Sequence, residues 1–328
     1  MSKSEQTGSG AGHPARRWLL RGVAALVGAA LLWSVVAQVD WQQFGQLWQR
    51  LALPGAALAA TAYIAQNFFR ALRFRALLAR HDILLPSLFA VTLYHNGMVR
   101  LLPLKLGEAV YPALMRQRFG VPLAAGISSL FAARLLELQV ILMVVVAGFF
   151  GLGTAADLLT WAALCAGLLL SVAALYHSGR ILGWALRALW GAQPPGALAR
   201  LASELDALRL PGRFAVAFFW SFFTYGSSFA TNALLLNGLG VALPPGALVA
   251  VISLGMFATA FPFNISGFGM VEWSLAVGLV HLAGLGAGEA AALALFVNGF
   301  QQVCALVSGF AGWLALQAHA VPAQRLES

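Results

Sequence analysis

The chain has 328 residues, of which 60% are hydrophobic and 9% charged, and its mean hydropathy is +0.81. Soluble domains devote about a quarter of their residues to charge, so this sequence lacks a water-facing shell and reads as an integral membrane protein. Its net charge of +9 comes from Lys and Arg gathered in clusters, which encodes membrane topology and is no nucleic-acid signature.

Residues 1–15 are polar, small and Gly-rich and are expected to form a disordered cytoplasmic tail. Arg16, Arg17 and Arg21 precede an apolar run to about Ala37. No convincing small-residue cleavage site follows, so this run is expected to stay as a first helix. Trp41 and Trp48, near Asp40 and Arg50, suit a short interfacial loop. A second span runs from about Leu51 to Phe69 and ends in Arg70, Arg73, Arg75 and Arg80. The positive-inside rule places both basic clusters in the cytoplasm. Segment 86–122 follows, broken by Gly and Pro, and then strongly apolar helices from about Ile127 to Gly151 and from Leu158 to Tyr176. Residues 178–213 carry Arg180, Arg187, Arg200, Arg209 and Arg213 against only Glu204 and Asp206, with Trp and Leu on one side. They predict a cytoplasmic amphipathic connection lying on the membrane surface. A fifth span covers about Phe214 to Leu236, a second broken segment 246–286, and a last span about Ala290 to Leu316, before a tail at 319–328.

The two broken segments share a pattern. One reads LLPLKLGEAVYPALMRQRFG and the other AFPFNISGFGMVEWSLAVGLVHLAG. In each, a proline precedes a glycine-bearing break and a glutamate: Pro103, Gly107 and Glu108, then Pro262, Ser266, Gly267, Gly269 and Glu272. Twelve residues past each glutamate stands a glycine, Gly120 or Gly284, and twenty-six past it Arg134 or Asn298. Matching interruptions in two halves point to the binding site of a transporter. Each segment is expected to form a re-entrant hairpin, because broken backbone is tolerated at membrane depth only against protein or a water-filled cavity. Six complete spans then remain. Three crossings separate the motifs, so the halves, about 16–152 and 156–318, are expected to be an inverted-topology repeat within one membrane domain, 16–318. The expected fold class is an all-α polytopic membrane protein.

Charges inside apolar spans carry the chemistry. Arg134 and Glu137 sit three apart on one helix face and are able to pair with each other. The alternative is that Arg134 faces the hairpin and meets Glu108 or a lipid phosphate, which a guanidinium grips bidentately. Glu108 reads either as the cap of the hairpin's return helix or as a binding group, with Lys105 and Arg100 beside it. Glu272 has the same two readings, and Ser266, Gly267 and Gly269 leave N–H groups near a helix start that suit an anion. Asn67, Asn96, Gln301 and Gln302 read as interhelical hydrogen-bond partners. Cys165 and Cys304 read as small buried hydrophobes. The six histidines show no metal-ligand spacing, so no metal or cofactor is expected.

The run from RALRFRALL through LPLKLGE and FAARLLE to FPFNISGFGMVE resembles the lysylphosphatidylglycerol-synthase transmembrane, or flippase-like, family. Its P-x3-GE, R-x2-E and P-x3-SG-x-G-x2-E landmarks extend the likeness over about residues 18–318. The resemblance implies that Pro103, Gly107 and Glu108 form a first hairpin tip with Arg134 as partner. It implies a second tip of Pro262, Ser266, Gly267, Gly269 and Glu272. Where the family often has a second basic residue, this chain has Asn298. With one arginine left to hold a headgroup, a strongly acidic headgroup is disfavoured. No soluble acyltransferase-like half follows Ala320, so aminoacyl transfer is not expected.

The leading expectation is a lipid translocator of the bacterial inner membrane, with both termini cytoplasmic. Glu108, Arg134, Glu272, Lys105 and Asn298 would contact a polar or anionic headgroup. No G-x4-GK-[ST] element occurs, so movement would be facilitated or proton-coupled. The alternatives are a non-transporting accessory of a hopanoid or glycolipid pathway, partnered with its enzymes, and a membrane-embedded transferase. The last is disfavoured because no DxD or DDxxD cluster is present.

Overall fold

The computed structural model describes residues 14–78, 82–151, 158–191, 195–207, 212–259 and 264–318. Residues 1–13 of the expected tail 1–15, the tail at 319–328, and Arg80, Arg209 and Pro262 lie outside them, while Pro14 and Ala15 already belong to the first helix. Among the described residues there are thirteen α-helices, one 3-10 turn and a two-stranded hairpin.

Helix α1 (Pro14–Val36) leads to α2 (Trp41–Arg50). The sequence suggested a loop at α2, and the structure corrects this. Asp40 caps the helix, its Oδ1 accepting from the N–H groups of Gln42 (3.0 Å) and Gln43 (3.1 Å). Such a cap satisfies backbone donors that a free end would leave open. Leu47 is buried while Trp41 and Trp48 stay exposed, and Trp48 meets Phe296 edge-on with centroids 4.7 Å apart.

Helix α3 (Leu53–Leu78) precedes α4 (Leu85–Leu101), which has Pro86 in its first turn and ends at its cap residue Leu102, just ahead of Pro103. That proline opens the 3-10 turn Pro103–Ala109, and α5 (Val110–Phe119) returns to a left-handed Gly120 at φ 63°. Gly107 lies against α4 so closely that a Cβ there would be 2.3 Å from the Met98 carbonyl oxygen. Then come α6 (Leu123–Gly151), α7 (Leu158–Tyr176), and α8 (Ser178–Trp190) packed on α9 (Gly196–Ala207). Their surface carries exposed Ile181, Trp184, Leu189 and Trp190, as an amphipathic connection requires.

Helix α10 (Arg213–Gly238) and α11 (Pro245–Ala258) lead into the second break. Here the local structure differs from the first: Asn264–Ile265 (β1) pairs antiparallel with Phe268–Gly269 (β2). Ser266 (φ 49°) and Gly267 (φ 84°) form the two-residue turn. Positive φ at both central residues is the signature of a type I′ turn, which matches strand twist. Helix α12 (Met270–Ala283) returns to left-handed Gly284, φ 67°, and α13 (Ala287–Ala318) closes the fold. Each broken segment therefore folds back as the sequence suggested, through a different turn.

Among the described residues, two helices are long and apolar enough to cross a membrane by length and composition, within Leu123–Gly148 and Ala287–Ala318. Cys165–Tyr176 and Ser178–Trp190 meet the same test only when taken as a pair, and they are bent by 72° at their junction, as in a broken span or a re-entrant loop. Together with the shorter apolar helices, they make an all-α membrane protein. Helix α3, by contrast, carries Arg70, Arg73 and Arg75 in its second half.

Packing crosses the chain. Helix α3 lies along α10, α4 along α13, and α6 along α11. The α4–α13 seam is nearly backbone to backbone, because a Cβ on Gly309 would come 2.9 Å from the Gly97 Cα. Small residues permit that approach where no hydrophobic effect drives helices together. Two apolar cores result. One gathers Tyr225, Leu235, Val251, Leu275 and Leu293, and the other Phe74, Leu88, Tyr111, Met115 and Leu136. The polar site lies between them.

Candidate functional site

A cavity of ≈ 160 Å³ opens where the two breaks meet α3, α6, α10 and α13. An engineered cavity of about 150 Å³ admits benzene, so the space suits a small polar group. Its wall is markedly polar. Gln66 and Arg70 come from α3, His95, Asn96 and Arg100 from α4, and Glu108 from the first turn. Arg134 and Glu137 come from α6, Tyr225, Ser228 and Asn232 from α10, and Asn298 and Gln301 from α13.

One side is an ion ladder. Arg73 Nη2 donates to Glu137 Oε1 at 2.7 Å, with side chains 1% and 8% exposed. Arg134 pairs with Glu137 through Nη1 and with Glu108 through Nη2, and His95 Nε2 lies 3.7 Å from Glu108 Oε2. Both sequence readings of Arg134 therefore hold at once: it bridges the in-helix acid and the hairpin acid. A lone charge at a helix centre costs about 2.5–3.5 kcal/mol to insert, and alternating signs along the ladder offset that cost. The ladder also corrects the capping role of Glu108. Helix α5 begins at Val110, its cap residue Ala109 makes no side-chain cap, and Glu108 turns to Arg134 instead.

The other side is held by carboxamides. Arg70 Nη1 donates to Asn96 Oδ1 (2.9 Å) and Asn67 Oδ1 (3.3 Å), and Asn96 donates to the Tyr63 hydroxyl at 2.6 Å. Arg100 Nη1 donates to Asn298 Oδ1 at 2.8 Å. Asn298 Nδ2 in turn donates to the Gly267 carbonyl (2.8 Å) and to Glu272. Gln302 Nε2 joins the same seam, donating to the carbonyls of Arg100 (2.9 Å) and Ser266 (3.0 Å).

The expected site residues thus separate. Glu108, Arg134, Asn298 and Gly267 line the cavity. Glu272 is fully buried behind Asn298, its Oε2 accepting the Gly269 N–H at 2.6 Å as a helix cap. The open N–H groups expected at this helix start are largely engaged, since Val271 N–H also bonds Asn264 Oδ1 at 3.3 Å. Ser266 and Gly269 build the hairpin, and Pro103 and Gly107 shape the first turn, in whose backbone Lys105 also lies.

The sequence reading missed Arg70, Arg73, Arg100 and His95. It assigned Arg70 and Arg73 to a cytoplasmic cluster, but α3 runs on to Leu78 and buries Arg73 completely. A signal was available: Tyr63, Asn67 and Arg70 follow each other at i, i+4, i+7, a polar stripe on one helix face. Arg134 is joined in the cavity wall by two further arginines. Arg70, Arg100 and Arg134 share one cavity. Among the described residues no cluster of His, Cys, Asp and Glu could hold a metal ion.

A family model described as the lysylphosphatidylglycerol synthase TM region matches residues 21–309. No curated protein and no solved structure matches the chain.

Proposed function

We propose a lipid-translocating function from one premise: this chain belongs to the lysylphosphatidylglycerol synthase transmembrane family. In this reading the protein sits in a bacterial inner membrane with both termini cytoplasmic. It carries a lipid headgroup through the central cavity while the acyl chains stay in the bilayer.

The carrying observation is the position of that polar cavity. Arg134 and Asn298 are each the twelfth residue of a long helix, α6 from Leu123 and α13 from Ala287. At 1.5 Å per residue they lie about 16 Å in, close to the middle of a hydrocarbon layer about 30 Å thick. A polar void at that depth is costly unless something polar crosses there.

An inverted repeat belongs to the same reading, and the spacings fit it. Helices α3 and α10 both have 26 residues, and their first residues, 53 and 213, stand 160 apart. The left-handed glycines 120 and 284 stand 164 apart, as do Arg134 and Asn298. The four-residue difference falls in the second break, where the β-hairpin is inserted. The partner swap of α4 with α13 and α6 with α11 is what a two-fold axis exchanging α3 with α10 would generate. Rocking one repeat against the other would then expose the cavity to alternate leaflets.

The test is reconstitution of the full chain into vesicles holding a fluorescent headgroup-labelled phospholipid, with dithionite reporting transfer between leaflets. Transfer is expected well above protein-free vesicles. Ser228→Trp, which fills the cavity from α10, is expected to stop it, whereas Ser228→Ala retains it. Background transfer by a folded wild-type protein would overturn translocation and favour the accessory role.

A further inference from the structure

The arginines around the cavity are of two kinds. Arg134 is neutralised twice, by Glu108 and Glu137, and Arg73 by Glu137. Arg70 and Arg100 instead donate to carboxamides, Asn67 and Asn96 for one and Asn298 for the other, while Glu137 and Glu272 act on them through space without a direct ion pair. Among the described residues neither has a carboxylate partner, and the buried Arg70 Nε has no hydrogen-bond partner at all. A carboxamide oxygen fixes the plane of a guanidinium without cancelling its charge. Asn96, which holds Arg70, is one helical turn before Arg100 on the same face of α4. Both cationic groups line the same cavity.

We infer that Arg70 and Arg100 form an anion site for a single phosphate ester, and that Arg134 is a structural brace that does not grip the ligand. The inference rests on the translocation reading for the phosphate's lipid origin, and on the charge arrangement alone for the anion. Two guanidinium forks match the oxygens of one phosphate in a way that ammonium groups do not. Low local dielectric strengthens that attraction and makes the unneutralised pair unfavourable when empty. A neutral sugar headgroup would leave both charges uncompensated.

The test measures binding of three probes to the purified full chain in mild detergent: phosphatidylglycerol, a neutral monoglycosyl-diacylglycerol and sn-glycerol 3-phosphate. Phosphatidylglycerol is expected to bind at least about tenfold more tightly than the glycolipid. Arg70→Gln and Arg100→Gln should each weaken it by about tenfold or more, as loss of a charge-assisted bond does. Arg187→Gln, exposed on α8, should leave the preference intact. Competition by sn-glycerol 3-phosphate would support the phosphate site from the headgroup side; binding of the lipid alone would support it with the acyl chains required. Inorganic phosphate displacing phosphatidylglycerol from wild type checks the site without any variant, should one fail to fold.

Equal affinity for the two lipids, unmoved by either substitution, would overturn the anion site even if vesicle transfer of the glycolipid proceeds. Arginine-dependent phosphate binding with no transfer of any lipid would instead overturn translocation and leave the anion site standing.

Discussion

Glu137→Gln is the sharpest probe of the ion ladder. Glu137 is the only carboxylate among the described residues paired with Arg73, at 2.7 Å, and both side chains are nearly inaccessible. Glutamine keeps the volume and removes the charge, so Arg73 stays buried without a counter-ion, while Arg134 retains Glu108. Removing one partner of a buried pair costs about 3–5 kcal/mol, mostly from the stranded charge. At roughly 2–4 °C per kcal/mol, the melting temperature should fall by about 6–20 °C. Tryptophan fluorescence of the protein in detergent reads this directly, since the chain has 10 Trp. Asp206→Asn is the comparison: its pair with Arg180 spans 3.7 Å at 45% and 65% exposure, and exposed pairs contribute at most about 1 kcal/mol. Exchanging both ladder residues, Arg73→Met with Glu137→Leu, should recover much of the loss, because an apolar pair strands no charge. The reasoning is refuted if Glu137→Gln melts no lower than Asp206→Asn.

Two further outcomes test the architecture. Gly309→Val places a branched side chain where even a Cβ would lie 2.9 Å from the Gly97 backbone, so it should part α4 from α13 and lower the yield of folded protein by severalfold in size-exclusion chromatography. Gly299→Ala, on the same helix with nothing within 4 Å of the new methyl, should cost nothing. For the inverted repeat, single cysteines at Leu84 and at Val241, introduced after replacing Cys165 and Cys304, are expected to label from opposite sides of the membrane; labelling from one side would exclude the repeat.

Much of the architecture was legible because it depends on spacing. Apolar runs located the long helices, and glycines at fixed distance from Glu108 and Glu272 marked the two helix ends that need left-handed φ. What spacing cannot show is how each break closes. LPLKLGE winds into a 3-10 turn because Pro103 fixes its start and Gly107 lets it sit on Met98. NISGFG zips into a hairpin because Ser-Gly occupies a turn that needs two positive φ values. The site was half legible for a related reason. Hydropathy treats an arginine near a helix end as a topology marker, and no local signal separates Arg75, partly exposed, from fully buried Arg73 two residues earlier. That distinction arises only when α6 brings Glu137 alongside.

The departure from symmetry at Asn298 follows from how the halves meet. In the first half a glutamate faces an arginine; at the matching place Glu272 faces an amide. Arg100 already reaches this point from α4, so an arginine at 298 would set two guanidiniums together, at a cost in a low-dielectric setting. Asparagine has a donor and an acceptor at once. Its N–H groups satisfy Glu272 and the Gly267 carbonyl, and its oxygen receives Arg100. One neutral side chain thereby stops the buried acid, closes the hairpin and presents a cation delivered by the opposite half. Through Asn298, Arg100 of α4 is tied to the second break, and both breaks line one cavity.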